Sequence, residues 1–194
     1  MKIYVIRHGE TTSDVENQYG GDYDDHLTEL GIREANDLVE KIKDFGIEVI
    51  FASPRIRAQE TARIIQEKLE VEIKTIDGLR ERNQYGILSG MKKDEAKAKY
   101  PEMVELLKDR FNTIEGAESY ENFRKRIVDS FNQITASNYK VAAIITHGGP
   151  IRRIFGEILR MEKKWEIEDC GFLEIDYAGG KASLVKTEGI SSEE

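Results

Sequence analysis

Two apolar runs in this chain end in the same way. Ile3-Tyr4-Val5-Ile6 runs into Arg7-His8-Gly9-Glu10-Thr11, and Val141-Ala142-Ala143-Ile144-Ile145 runs into Thr146-His147-Gly148-Gly149. A short, continuous apolar run reads as a strand buried on both faces, which is the pattern of a parallel sheet covered by helices. In open α/β sheets ligands bind outside the carboxyl ends of the strands. Two buried strands that each deliver a His-Gly to that edge therefore constrain both the fold and the position of a site.

The rest of the chain alternates helical and strand patterns. Glu10 to Gly21, continuing to Asp25, reads as a loop over the site with at most one helical turn. Thr28 caps a helix from Glu29 to about Asp44, with Ile32, Ala35, Leu38, Val39 and Ile42 at helical spacing and Gly46 beyond its end. Val49 to Ala52 is a second buried strand, followed by Ser53-Pro54-Arg55 and a helix from Ile56 to Leu69. Val71 to Ile76 reads as a strand, and Leu79 to Gly90 as irregular. Asp94 to Arg110 is helical but broken at Pro101. Ser119 to Ala136 is an amphipathic helix with Phe123, Ile127, Phe131 and Ile134 inward. Pro150 is expected at the first position of a helix running to about Leu159. Phe172 to Tyr177 and Ala182 to Lys186 flank Ala178-Gly179-Gly180 as an edge hairpin, on which two copies could pair as a homodimer. The expectation is an α/β fold with a mainly parallel sheet between helices, one domain over residues 1–190, and a frayed tail over 191–194.

Composition narrows the function classes. The net charge of −8 disfavours nucleic acid and anionic membranes as partners, while leaving room for a small anionic substrate in a locally basic pocket. No apolar run approaches the roughly 20 residues of a membrane span. The chain opens directly on a strand, without a signal-peptide pattern, and its single cysteine, Cys170, excludes an internal disulfide. A cytoplasmic location is the resulting expectation. The three histidines show no metal-ligand spacing.

The polar residues at strand ends are Arg7, His8, the Arg55/Arg57 pair and His147, with Glu81 in the glycine-rich irregular stretch. Arginines and histidines converging on one point suit a dianion, because the guanidinium fork matches phosphate oxygens at any working pH. Nearby arginines disfavour protonation of a histidine and leave a neutral imidazole able to attack phosphorus. The transfer then needs an acid for the leaving oxygen, and Glu81 is the candidate. Of the neighbours, Arg55 reads as a solvated side chain, His26 as a surface residue, and the Lys92-Lys93 pair as part of a solvated helix face.

Arg7-His8-Gly9-Glu10-Thr11 resembles the RHGET signature of the histidine phosphatase superfamily, in its phosphoglycerate-mutase-like branch. Leu27-Thr28-Glu29-Leu30-Gly31 resembles that family's PLTxxG segment, and Ser53 to Ala62 its SPLxRAxQTA segment. Leu79-Arg80-Glu81 with Gly86 and Gly90 is similar to its LxE…G…EG loop. Gly116-Ala117-Glu118-Ser119 resembles its GES helix start, and Thr146 to Gly149 its second-histidine motif. The likeness implies a three-layer α/β/α sandwich. It further implies that His8 is the phosphorylated nucleophile and Glu81 the proton donor, that Arg7, Arg57, His147 and Gly148 contact the phosphoryl group, and that neither metal nor cofactor is needed.

Four positions depart from the family pattern. Asp14 stands where a phosphate-contacting Asn is usual, Gln18 where Arg is common, His26 in place of Pro, and Leu88-Ser89-Gly90 in place of Trp-Glu-Gly. The stretch between Gly90 and Gly116 is also short, where mutases resemble one another in a longer insertion. The short stretch and the missing Trp-Glu-Gly imply, within the resemblance, a phosphatase acting on a small phosphorylated metabolite. A phosphoglycerate mutase with the same half-reaction is the alternative, and an inactive phospho-ligand binding module the second.

Overall fold

The computed structural model describes residues 1–192. One six-stranded sheet organises them. In chain order the elements are β1 (Lys2–Arg7), α1 (Thr12–Val15), α2 (Glu29–Ile42), β2 (Val49–Ala52), α3 (Ile56–Leu69), β3 (Glu72–Thr75), α4 (Lys93–Lys99), α5 (Pro101–Leu106), α6 (Tyr120–Thr135), β4 (Val141–Thr146), α7 (Gly148–Arg153), β5 (Trp165–Ala178) and β6 (Lys181–Ser192). The sheet order is β3-β2-β4-β1-β5-β6; the first four strands are parallel, and β5 and β6 are antiparallel additions.

The alternation of side chains along the buried strands splits the core into two layers. Ile3, Val5, Val49, Phe51 and Ile144 pack against Phe123, Ile127, Phe131 and Ile134 of α6 and Ile151 of α7. Tyr4, Ile6, Ile50 and Ile145 pack against Leu38, Val39 and Ile42 of α2 and Ala58, Ala62 and Ile65 of α3. This is the expected three-layer α/β/α sandwich. A smaller cluster of Leu88, Ala96 and Ile114, flanked by Tyr85, Met91 and Met103, holds α4 and α5 as a cap. Among the described residues, no helix is long and apolar enough to cross a membrane.

Several elements differ from the sequence expectation. Ile32 is 45% exposed, so α2 buries only its other four apolar positions. Pro150 occupies the third position of α7, not the first; its missing N–H is still one of the orphan donors of a helix start. The helix then widens to a π-helical turn over Ile154–Ile158. β5 begins seven residues before Phe172, because its pairing with β6 shifts register between Ile167 and Phe172, and Cys170 takes φ +55° there. That bulge breaks the period-two alternation by which a strand is recognised. β6 continues to Ser192, paired with Trp165, where a frayed tail is expected from Ser191. The rest of that expected tail, 193–194, lies outside the described residues.

Two of the sequence motifs meet through their backbones. A Cβ on Gly9 would lie 2.5 Å from the carbonyl oxygen of Gly31, and one on Gly31 would lie 2.2 Å from that of Glu10. The loop after β1 therefore rests directly on the first turn of α2. Thr28 fastens it there: its N–H donates to the Glu10 carbonyl at 3.0 Å, its hydroxyl donates to Glu10 Oε1 at 2.6 Å, and the same hydroxyl oxygen accepts from the Gly31 N–H.

Candidate active site

Parallel pairing in the register Arg7↔Thr146 brings the ends of β1 and β4 together. His8 and His147, each one residue further on, stand with ring centroids 5.0 Å apart. His8 opens onto a cleft of about 250 Å³ lined by Arg7, Arg57, Glu81 and Gly148, together with Thr11, Asp14, Gln18, Tyr85, Lys93 and Arg152. The sequence-predicted residues are thus brought to one sheet edge, with His147 just beneath the cleft surface.

The hydrogen bonds of His8 define its tautomer. Nδ1 lies 2.8 Å from the Gly9 carbonyl oxygen, which can only accept, so Nδ1 carries the proton. Nε2 accepts from Arg57 Nε at 3.0 Å, so its one lone pair is held by that guanidinium. Burial, followed by the charges of Arg57 and Arg7, holds the imidazole well below its ordinary pKa and keeps it neutral. His147 is depressed in the same way, by burial first and then by Arg57. Its Nε2 meets Ser53 Oγ at 2.8 Å. Since Ser53 Oγ already accepts from the Arg55 N–H at 3.3 Å, its hydroxyl proton can go to Nε2, which leaves the proton of His147 on Nδ1. That Nδ1 is buried without a partner among the described residues.

Both arginines are held by carboxylates that the sequence reading missed. Arg57 donates through Nη1 to Asp25 Oδ1 at 2.7 Å and to the Tyr23 carbonyl at 2.6 Å, and through Nη2 to the Gly21 carbonyl at 2.8 Å. Asp25 in turn accepts from the Ser13 hydroxyl. Arg7 donates to the Ile167 carbonyl at 2.6 Å and pairs with Asp169 Oδ1 at 3.0 Å. The β5 bulge is what brings Asp169 to this edge, since the Cys170 N–H donates to the His8 carbonyl at 3.2 Å.

Glu81 accepts from the Arg82 N–H through Oε1 at 2.7 Å and from the Gly149 N–H through Oε2 at 2.9 Å. Each oxygen keeps a second lone pair where a proton can sit. A Cβ on Gly149 would fall 2.0 Å from Oε1, so glycine is required for this contact. Arg126 steadies the same stretch, donating to the carbonyls of Gly78, Arg80 and Glu81 while paired with Glu118 of the helix-start motif at 2.7 Å.

Other positions are clarified. Asp14 lines the cleft, but its Oδ2 accepts from the Thr11 N–H at 3.1 Å and hydroxyl at 2.7 Å, which turns that oxygen onto the start of α1. Arg55 is half-buried and paired with Asp22 and Asp24, rather than solvated. His26 is a surface residue paired with Glu60, whose hydrogen bond raises its pKa. Lys93, read from sequence as part of a solvated helix face, is exposed as that reading expects and also edges the cleft. Among the described residues, no group of His, Cys, Asp and Glu is arranged to hold a metal ion.

Asp169 supplies a pH test. Burial pushes its carboxyl from the ordinary 3.8 up to about 6, against the opposing pull of Arg7 and with help from Asp14, Glu34 and Glu10. Between those two values the folded chain holds a proton that the unfolded chain has released, so this group makes stability fall as pH rises from about 4 to 6. Urea unfolding at pH 4.5 and 6.5 should therefore show a shallower decline for Asp169→Asn than for wild type. Equal declines would mean that Asp169 titrates normally.

Comparisons with known proteins bear on the family and the fold. The family profile described as histidine phosphatase superfamily (branch 1) matches residues 3–188. The uncharacterized phosphatase PhoE of Bacillus subtilis strain 168 is 31% identical over 157 residues, 80% of this chain and 76% of that one. The α-ribazole phosphatase of Shigella flexneri shares the fold with a TM-score of 0.87 at 21% identity, covering 96% of both chains. A phosphoglycerate mutase of Bacillus anthracis strain Sterne gives a TM-score of 0.83 at 26% identity, covering 97% of this chain and 92% of that one.

Proposed function

The chain belongs to the histidine phosphatase superfamily, branch 1, and on that premise we propose that it hydrolyses a small phosphate monoester through a phosphohistidine on His8. The observation that carries the reading is the His8 ring, neutral and protonated on Nδ1, lining the cleft between Arg7 and Arg57, with Arg57 donating to its unprotonated Nε2. Arg57 Nε passes its hydrogen bond from Nε2 to a phosphoryl oxygen, the freed Nε2 lone pair attacks phosphorus, the bond to the ester oxygen breaks, and that oxygen takes a proton from Glu81. Arg7, Arg57 and His147 Nδ1 hold the non-bridging oxygens. Water then attacks the phosphohistidine and gives its proton to the Glu81 carboxylate. The N–P bond breaks, and inorganic phosphate leaves a neutral His8.

Water is favoured as acceptor over a second sugar acid by two features. The segment from Gly90 to Gly116 is short, and it folds as the two brief helices α4 and α5. Ser89 also stands where Trp-Glu-Gly would place a carboxylate. The cleft is small and polar, which suits a metabolite more than a macromolecule.

The test is a rapid acid-free quench of the protein turning over p-nitrophenyl phosphate with EDTA present, followed by peptide mass spectrometry. A phosphoryl group on the His8 peptide, lost on mild acid treatment and absent from His8→Ala, is expected. Turnover without any label on His8 would overturn the covalent route.

A further inference from the structure

A second basic cavity lies beyond Glu81, outside the cleft described above. It is larger, about 910 Å³, and lies among α6, the π-helical turn and the segment before β5. Seven Arg and Lys side chains line it against three carboxylates, Glu121, Glu157 and Glu162. This excess of positive charge sits in a chain whose net charge is −8. The carboxylates do not neutralise it evenly. Glu157 takes Arg124 at 2.8 Å and Arg153 at 3.9 Å, and Glu121 also faces Arg124. Among the described residues, Arg110, Arg152, Arg160 and Lys163 have no ion pair with a carboxylate. Arg110 instead packs over the rings of Phe111 and Tyr120, at 5.0 and 5.9 Å, and Phe111 is 58% exposed.

Guanidinium groups without a carboxylate partner, gathered in one concave space with Arg152 Nε donating to the Trp165 carbonyl at 2.9 Å, select a ligand that carries several negative charges. We infer that this cavity binds an oligophosphate, a ligand with two or more phosphate groups in series. Its volume lies in the range that takes a nucleotide-sized molecule. A single phosphate would meet only some of these cations in a cavity of that size, whereas several phosphates can meet more of them. Arg152 edges both this cavity and the catalytic cleft, and Arg110, Arg152 and Arg153 also line the small cavity behind Glu81. Arg152 is therefore shared by the two spaces, while Glu81 lines the cleft and the small cavity but not this one.

Titration calorimetry on the full chain tests the inference with tripolyphosphate and with adenosine triphosphate, at low and high salt. Saturable binding is expected for both in wild type, weakened by salt and by about tenfold or more in the Arg160→Glu/Lys163→Glu double variant. Tighter binding of the nucleotide would assign its base to the Phe111 face, and equal binding would assign recognition to the phosphates alone. A parallel thermal melt checks that the double variant is folded, and Arg110→Ala gives an independent reading. The inference is overturned if neither ligand binds at millimolar concentration, if adenosine binds as well as the triphosphate, or if both variants bind as wild type does.

Discussion

Replacing Asp25 with Ala should destabilise the fold by about 3–5 kcal/mol, the usual cost of removing one partner from a buried ion pair. Asp25 and Arg57 side chains are 3% and 4% exposed, so the guanidinium that remains cannot recover its hydration. The Ser13 hydroxyl loses its acceptor at the same time. Asp25→Asn should cost less, because its amide oxygen can still accept from Arg57 Nη1. Both variants leave Arg57 with an uncompensated charge facing the cleft, so inorganic phosphate should stabilise them more than it stabilises wild type. Urea unfolding followed by Trp165 fluorescence, with and without phosphate, measures all of this. A loss below about 1 kcal/mol for Asp25→Ala would show that Arg57 is held by the Gly21 and Tyr23 carbonyls alone.

The missed role of Asp25 shows where sequence reading ends. The two buried strands with their His-Gly ends were legible because a continuous apolar run and a following glycine are local signals. Arg7, His8, Arg57, Glu81 and His147 were legible as a set because each falls within a short motif whose order along the chain agrees with the fold. Asp25 and Asp169 carry no such signal. One is a single acid in an acidic loop, the other lies in a bulge that hides the first half of β5 from any period-two pattern. Their partners are 32 and 162 residues away. Lys93 shows the same limit from the other side. Lys93 is exposed, as a lysine at a helix start should be, but its place at the cleft edge depends on how the packing of Leu88, Ala96 and Ile114 seats α4. Asp14 shows that a substitution at a family position need not put a charge on the ligand, since the neighbouring Thr11 takes its Oδ2.

Glu81→Gln separates the proposed chemistry from mere positioning. General acid catalysis contributes about 10²–10⁴-fold to a rate, and the fraction used depends on how badly the leaving oxygen needs a proton. Nitrophenolate departs readily without one, whereas an alkoxide does not. The variant should therefore lose kcat/KM by about 10²–10⁴ on an alkyl phosphate and by much less on p-nitrophenyl phosphate. The amide that replaces the carboxylate has a single oxygen and cannot accept from the Arg82 and Gly149 N–H groups through two, so some displacement of the side chain is expected as well. Displacement of the residue alone, however, would slow both esters to a similar extent. A leaving-group-dependent loss would establish Glu81 as the acid acting on the departing oxygen. Equal losses on both esters would restrict it to holding the start of α7, and the proton would have to come from another group lining the cleft.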